Sequence, residues 1–257
     1  MPWYPSVSAR RVCAAVAAAA SLTLMLGGCT SYDRHTAEDA RNSAKKGAAL
    51  APDAVDCART RCIALTFDAG PSEYTPRLLD TLKKEKVHAT FFLLGANHVV
   101  KHPDLVRRIA DEGHEVANHT WSHKILTDLD ADGVREELTR TQEAVEKITG
   151  HRPTLMRPPQ GRTDDRVSEV SRELGLAQIM WSATAKDYST NDSALIEKRI
   201  LDQAEGDGII LLHDIYEGTV PAVPGIIEKL KKRGFTFVTV PELLAPGVAE
   251  PGKVYKP

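Results

Sequence analysis

His119 and His123 stand four residues apart in His119-Thr120-Trp121-Ser122-His123. On a helical turn that spacing brings both imidazoles to one face, where their ring nitrogens can reach a single divalent ion. A solvated helix face gives the same pattern. Asp68, in Thr66-Phe67-Asp68-Ala69-Gly70-Pro71, comes just before a Gly-Pro turn that either aims its carboxylate or is merely capped by it. His213 ends the apolar run Leu211-Leu212 and reads equally as a functional imidazole or a satisfied core histidine. Arg157-Pro158-Pro159-Gln160-Gly161 is a rigid loop, stiffened for structure or holding an arginine that keeps a carboxylate ionised. Asp187 and Tyr188 offer a carboxylate to orient His213 and an aromatic wall for a sugar ring, or form a plain surface pair.

These residues need a scaffold that gathers them. Short apolar or β-branched runs predict strands over 63–67, 89–94, 115–117, 154–156, 178–181, 208–212 and 236–240. Amphipathic stretches predict helices over 75–85, 103–112, 131–149, 164–174, 193–205 and 223–233. Roughly seven βα units in succession predict an α/β fold with a parallel sheet, closed or nearly closed into a (β/α)7-type barrel. Such a barrel carries chemistry at the C-terminal ends of its strands. Asp68 follows the first predicted strand, His119 and His123 the third, Arg157 the fourth, Asp187 the fifth and His213 the sixth, so all converge on one rim, and this placement favours the metal reading of the histidine pair.

The 257 residues are 42% hydrophobic and 26% charged with a formal net charge of -2, which gives no electrostatic footprint for nucleic acid. Residues 1–29 read as an export signal: Arg10 and Arg11 precede an apolar run too short for a comfortable membrane span, and the paired arginines hint at twin-arginine export. Leu26-Gly27-Gly28-Cys29 resembles a bacterial lipobox whose Cys29 is lipidated; the alternative is a buried cysteine in an uncleaved anchor helix. Residues 30–56, nearly free of large apolar side chains, read as a tether, and residues 57–257 as the folded domain. An oxidising compartment favours a Cys57–Cys62 disulfide over free thiols or a zinc site. The expected location is outside the membrane, lipid-anchored, as a monomer.

The segments TFDAGP, HTWSH, RPPQG, WSATAKDY and LLHD occur in that order behind successive predicted strands. Together they resemble the five motifs of the NodB-homology polysaccharide deacetylases of carbohydrate esterase family 4. The resemblance implies a distorted, NodB-like (β/α) barrel that removes acetyl groups from N-acetylated sugars of peptidoglycan or chitin-like polymers. It implies zinc or a similar divalent ion on His119 and His123, Asp68 as general base and His213 as proton donor to the leaving amine. It further implies the Gln160 backbone N–H as an oxyanion contact, Arg157 tuning Asp68, Asp187 orienting His213 and Tyr188 as a sugar platform.

Three positions depart from that pattern. Most members carry a second aspartate, a metal ligand, where this chain has Ala69. The ion is then held by two imidazoles with water or substrate, by a shifted Asp68, or not at all. The last case makes a carbohydrate-binding lipoprotein without catalysis. Gln160 and Tyr188 stand where an aromatic residue and a tryptophan are frequent. Hydrolysis of an O-acetyl ester or a non-sugar amide is a third reading.

Overall fold

The computed structural model describes residues 33–44 and 48–257. The export signal over 1–29 and Cys29 lie outside the described residues. Among the described residues no helix is long and apolar enough to cross a membrane.

Strand β1 (Arg34–His35) and helix α1 (Ala37–Asn42) precede the barrel. Then follow β2 (Cys62–Asp68), α2 (Thr75–Glu85), β3 (Thr90–Leu93), α3 (Pro103–Asp111), β4 (Glu115–Asn118), α4 (Ala131–Thr149), β5 (Leu155–Met156) and α5 (Asp165–Glu173). The second half contains β6 (Ala177–Ile179), β7 (Ala183–Thr184), α6 (Ser193–Gln203), β8 (Gly208–His213), α7 (Thr219–Lys232), β9 (Thr236–Val238), α8 (Val240–Leu244) and β10 (Val254–Tyr255). Every strand pair in the sheet is parallel.

The order β6-β5-β4-β3-β2-β8-β7 makes a seven-strand distorted barrel, as expected. It stays open between β6 and β7. The Met180 N–H donates to Tyr255 O in β10, whereas the Ser182 N–H donates to Ile209 O in β8, so three residues switch the chain from one neighbour to another. The single strand expected over 178–181 is therefore two short ones. Beyond the break the sheet runs on through β10 to β1.

Parallel strands covered on both faces are apolar without alternation, and all seven residues of β2 are buried. Around them α2 buries Leu78, Leu79 and Leu82, and α7 buries Val223, Ile226, Ile227 and Leu230. Each such side chain contributes about 1.5–3 kcal/mol. Helix α7 begins four residues earlier than expected: Pro221, in its first turn, lacks only an N–H that has no intrahelical partner there, and Pro224 is tolerated farther in. Helix α4 has its predicted bounds, set by the Asp130 side chain accepting the Gly133 N–H and by Gly150 at φ 77°.

Cys57 and Cys62 form the expected disulfide, with Cα atoms 5.4 Å apart. The expected tether over 30–56 needs correction, because β1 and α1 are docked elements. Ala37 and Ala40 are buried, Thr36 and Asp39 form a capping box, and Arg41 pairs with Asp207 and donates to Leu243 O. Two small alanines, a cap and one arginine dock the segment, which is why it lacks an apolar stripe.

Candidate active site

Asp68 closes β2, with its carboxylate buried beside Arg157, which follows β5. The fully buried guanidinium donates from Nη1 to Asp68 Oδ1 at 2.6 Å and to Thr66 Oγ1 at 2.7 Å. Its Nε donates to Ile179 O and Nη2 to Met180 O, and it lies 4.1 Å from the Phe92 ring centroid. Burial pulls the Arg157 pKa below its ordinary value while Asp68 works against that shift. Occupying Oδ1 with arginine leaves Asp68 Oδ2 toward His119, 3.9 Å from Nε2.

His119 follows β4. Its Nδ1 lies 2.8 Å from Arg157 O, and because a carbonyl can only accept, Nδ1 carries the proton and Nε2 a lone pair. Burial chiefly lowers the His119 pKa to about 4 against the pull of Asp68, so the ring is neutral near pH 7. The His123 ring is 5.0 Å from it, centroid to centroid. Here the expectation of a helical turn is corrected: the segment is a loop in which Thr120 (φ 73°) and His123 (φ 61°) are left-handed. The Thr120 N–H donates to Asn118 Oδ1 and the His123 N–H to Thr120 Oγ1, so side chains replace helical bonds.

His213 closes β8 in register with Asp68 of β2. Its Nδ1–H donates to Asp187 Oδ1 at 2.8 Å. Asp187, almost fully buried, also accepts the His213 backbone N–H and the Thr219 hydroxyl on Oδ2, both at 2.8 Å. Burial opposes a charge on His213, but the hydrogen bond and charge of Asp187 outweigh it and the pKa is raised. Tyr188 and Tyr216 flank the imidazole with ring centroids at 6.3 and 5.4 Å, and Tyr188 is exposed. Gln160 is exposed and left-handed at φ 58° in the turn after β5. Trp121 and Trp181 have cationic packing partners: Arg140 lies 4.2 Å over the Trp121 ring, and Arg157 lies 5.7 Å from the Trp181 ring centroid.

Among the described residues no group of three or more His, Cys, Asp or Glu side chains is arranged to hold a metal ion. The two imidazoles fit a divalent cation in kind, being close and, at His119, neutral with a free Nε2. In number the donors fall one carboxylate short, at Ala69. That residue is buried and left-handed at φ 67°, a conformation that Asp and Asn adopt far more readily than Ala.

Sequence reasoning missed Thr219 and Asp214. Asp214 is fully buried, accepts the Thr75 hydroxyl on Oδ2 at 2.5 Å, and leaves Oδ1 without a partner against Gly70, where a Cβ would lie 2.2 Å away. It ties the turn after Asp68 to the strand that bears His213. Also unforeseen was a π-helical turn, Gly95–Val99, joining two motif loops: the Gly95 N–H donates to Thr120 O, and His98 Nδ1 donates to Pro71 O. The adjacency of Asp214 to His213 in LLHD was the one available signal.

A family model described as polysaccharide deacetylase matches residues 56–179. The peptidoglycan-N-acetylglucosamine deacetylase PgdA of Listeria monocytogenes is 41% identical over 193 residues, 75% of this chain and 41% of its own length. A peptidoglycan-N-acetylglucosamine deacetylase of Bacillus cereus is 36% identical over 190 residues, 72% of this chain and 88% of its own. The chain thus spans under half the length of PgdA. Among solved structures, a T48 deacetylase with substrate has a TM-score of 0.75 at 42% identity, covering 79% of this chain and 100% of that one. A mutant of a carbohydrate esterase family 4 pseudoenzyme with restored enzymatic activity has a TM-score of 0.69 at 30% identity, covering 72% of this chain and 68% of that one.

Proposed function

The chain belongs to the polysaccharide deacetylase family, and on that footing we propose that it hydrolyses the N-acetyl group of N-acetylated sugars in peptidoglycan or a chitin-like polymer, releasing acetate. The observation that carries this reading is that the Asp68–Arg157 pair, the His119–His123 pair and the Asp187–His213 dyad share one strand-end rim. His119 and His123 would hold a divalent ion such as zinc, which when bound would supply Lewis-acid polarisation of the acetyl carbonyl.

Asp68, its Oδ1 engaged by Arg157, takes a proton from the attacking water through Oδ2. The new C–O bond forms as the carbonyl oxygen gains charge, and the Gln160 N–H donates to that oxyanion. His213, oriented by Asp187 and holding its proton more firmly than an ordinary histidine, donates from Nε2 to the nitrogen as the C–N bond breaks. Acetate and a free sugar amine leave. Tyr188, exposed beside His213, stacks against a sugar ring. Lipidation at Cys29 holds the enzyme at the outer face of the cytoplasmic membrane.

Ala69 favours one alternative, a carbohydrate-binding lipoprotein with impaired catalysis. Metal content and acetate release of the parent and Ala69→Asp proteins, on peptidoglycan and chitin oligomers, separate the two. Acetate from the parent, lost in His119→Ala, supports the enzyme. Saccharide binding without acetate, with release appearing only in Ala69→Asp, supports the alternative.

A further inference from the structure

Between the two histidines lies Ser122, whose backbone N–H and hydroxyl both donate to Glu137 of α4, to Oε2 at 2.8 Å and Oε1 at 2.6 Å. Glu137 is 5% exposed, and its ion-pair partner among the described residues, Lys124 of the same loop, is 3.7 Å away and itself exposed. Burying a carboxylate against two neutral donors is unfavourable for stability alone. The loop it grips also contains two left-handed non-glycine residues, Thr120 and His123, a conformation that persists only where the surroundings over-determine it.

The remaining restraints act elsewhere. Gly95 and Ala96 hold the carbonyls of Thr120 and Trp121, and Thr120 holds the His123 N–H from within the loop. Arg140 of α4 also packs on Trp121, but among the described residues it is Glu137 that hydrogen-bonds Ser122, the residue next to His123, to that helix, with both carboxylate oxygens engaged. We infer that Glu137 is a positioning residue for the candidate metal site, fixing through Ser122 the loop geometry that turns His123 toward His119. The inference rests on the reading that these histidines hold a divalent ion.

Titration of the full chain with Co2+ alone, followed by visible spectroscopy and competition with a chelator, tests it in both the parent and Ala69→Asp backgrounds. Glu137→Ala is expected to weaken Co2+ binding at least tenfold and to change the d–d spectrum. Glu137→Gln, which keeps an acceptor for the Ser122 N–H, recovers at least threefold of that loss. Ser122→Ala, which removes only the hydroxyl bond and leaves the buried carboxylate in place, weakens binding about threefold and gives the reading if Glu137→Ala does not fold. Parent-like affinity and spectrum in Glu137→Ala, or in Ser122→Ala where the former is unfolded, overturn the inference, as does a Glu137→Gln protein as weak as Glu137→Ala. If the parent takes up no Co2+ and Ala69→Asp does, metal use by the natural chain fails while the role of Glu137 is still decided in the second background. No uptake in either background overturns both.

Discussion

Asp68 and His213 are direct register partners across β2 and β8, so the candidate base and acid end neighbouring strands at the same level. Main-chain hydrogen bonds fix that pairing, and strand spacing sets the separation of their backbones near 4.8 Å. Arg157 then engages one side of Asp68 and Asp187 one side of His213, leaving Asp68 Oδ2 and His213 Nε2 for proton transfer.

Removing the acid should separate activity from stability. In His213→Ala, Asp187 keeps the Thr219 hydroxyl and the backbone N–H of position 213, so no buried carboxylate is stranded. Acetate release on peptidoglycan should fall about 100- to 10,000-fold, while the unfolding midpoint moves little. Parent-like turnover in this variant removes His213 from the proposed chemistry.

Under the proposed chemistry, Asp187 sets the pH range in which that acid works. His213 donates only when protonated, so activity falls as pH rises through its pKa, which Asp187 holds above the ordinary value. Asp187→Asn keeps an acceptor but removes the charge, so the alkaline limb of the pH–rate profile should move to lower pH. The His213 ring-proton resonance should titrate at correspondingly lower pH in NMR. An unmoved alkaline limb assigns it to another group.

Arg157 is the side chain whose loss should damage the fold as well as the site. Its guanidinium satisfies Asp68, Thr66 and two carbonyls while fully buried. Arg157→Ala leaves Asp68 charged and unpaired inside the protein and should destabilise it by about 3–5 kcal/mol. Arg157→Lys keeps a charge but cannot reach all four acceptors, and should lose activity with a smaller loss in denaturant midpoint. Equal stability of the alanine variant and the parent contradicts this assignment.

The sequence exposed those parts whose signal is local. Helices α2 and α4 matched their predicted bounds because local signals set them: apolar spacing and Pro76 in the first turn of α2, and the Asp130 cap and Gly150 at the ends of α4. Asp68, His119, Arg157 and His213 were legible because each directly follows or closes a strand. Strands β1, β7 and β10 are two residues long, and their pairing is decided by distant partners. Glu137 was equally hidden, since a glutamate on an amphipathic helix reads as solvated until the loop above it is in place. The left-handed backbone of Ala69, Thr120 and His123 has no compositional mark either, because none of them is glycine.

Asp214 gives a prediction about stability rather than rate. Burial chiefly raises its folded pKa to about 6, against the hydrogen bond from Thr75, while an unfolded aspartate titrates near 3.9. The folded chain therefore holds this proton more tightly than the unfolded chain. Below about pH 4 both states are protonated and there is no penalty. As pH rises from 4 to 6 the unfolded state ionises first, and stability falls by an amount that levels off near 3 kcal/mol. Asp214→Asn still accepts the Thr75 hydroxyl and has no such titration. Its stability should exceed that of the parent by about 1–3 kcal/mol above pH 6, with the gap closing toward pH 4. Glu115, also raised by burial, to about 7, contributes equally to both proteins and cancels in the difference. Urea midpoints of the two proteins between pH 4 and 8 give the comparison. A constant gap across that range would mean that the Asp214 carboxyl is ionised throughout, with its Oδ1 solvated where it meets Gly70.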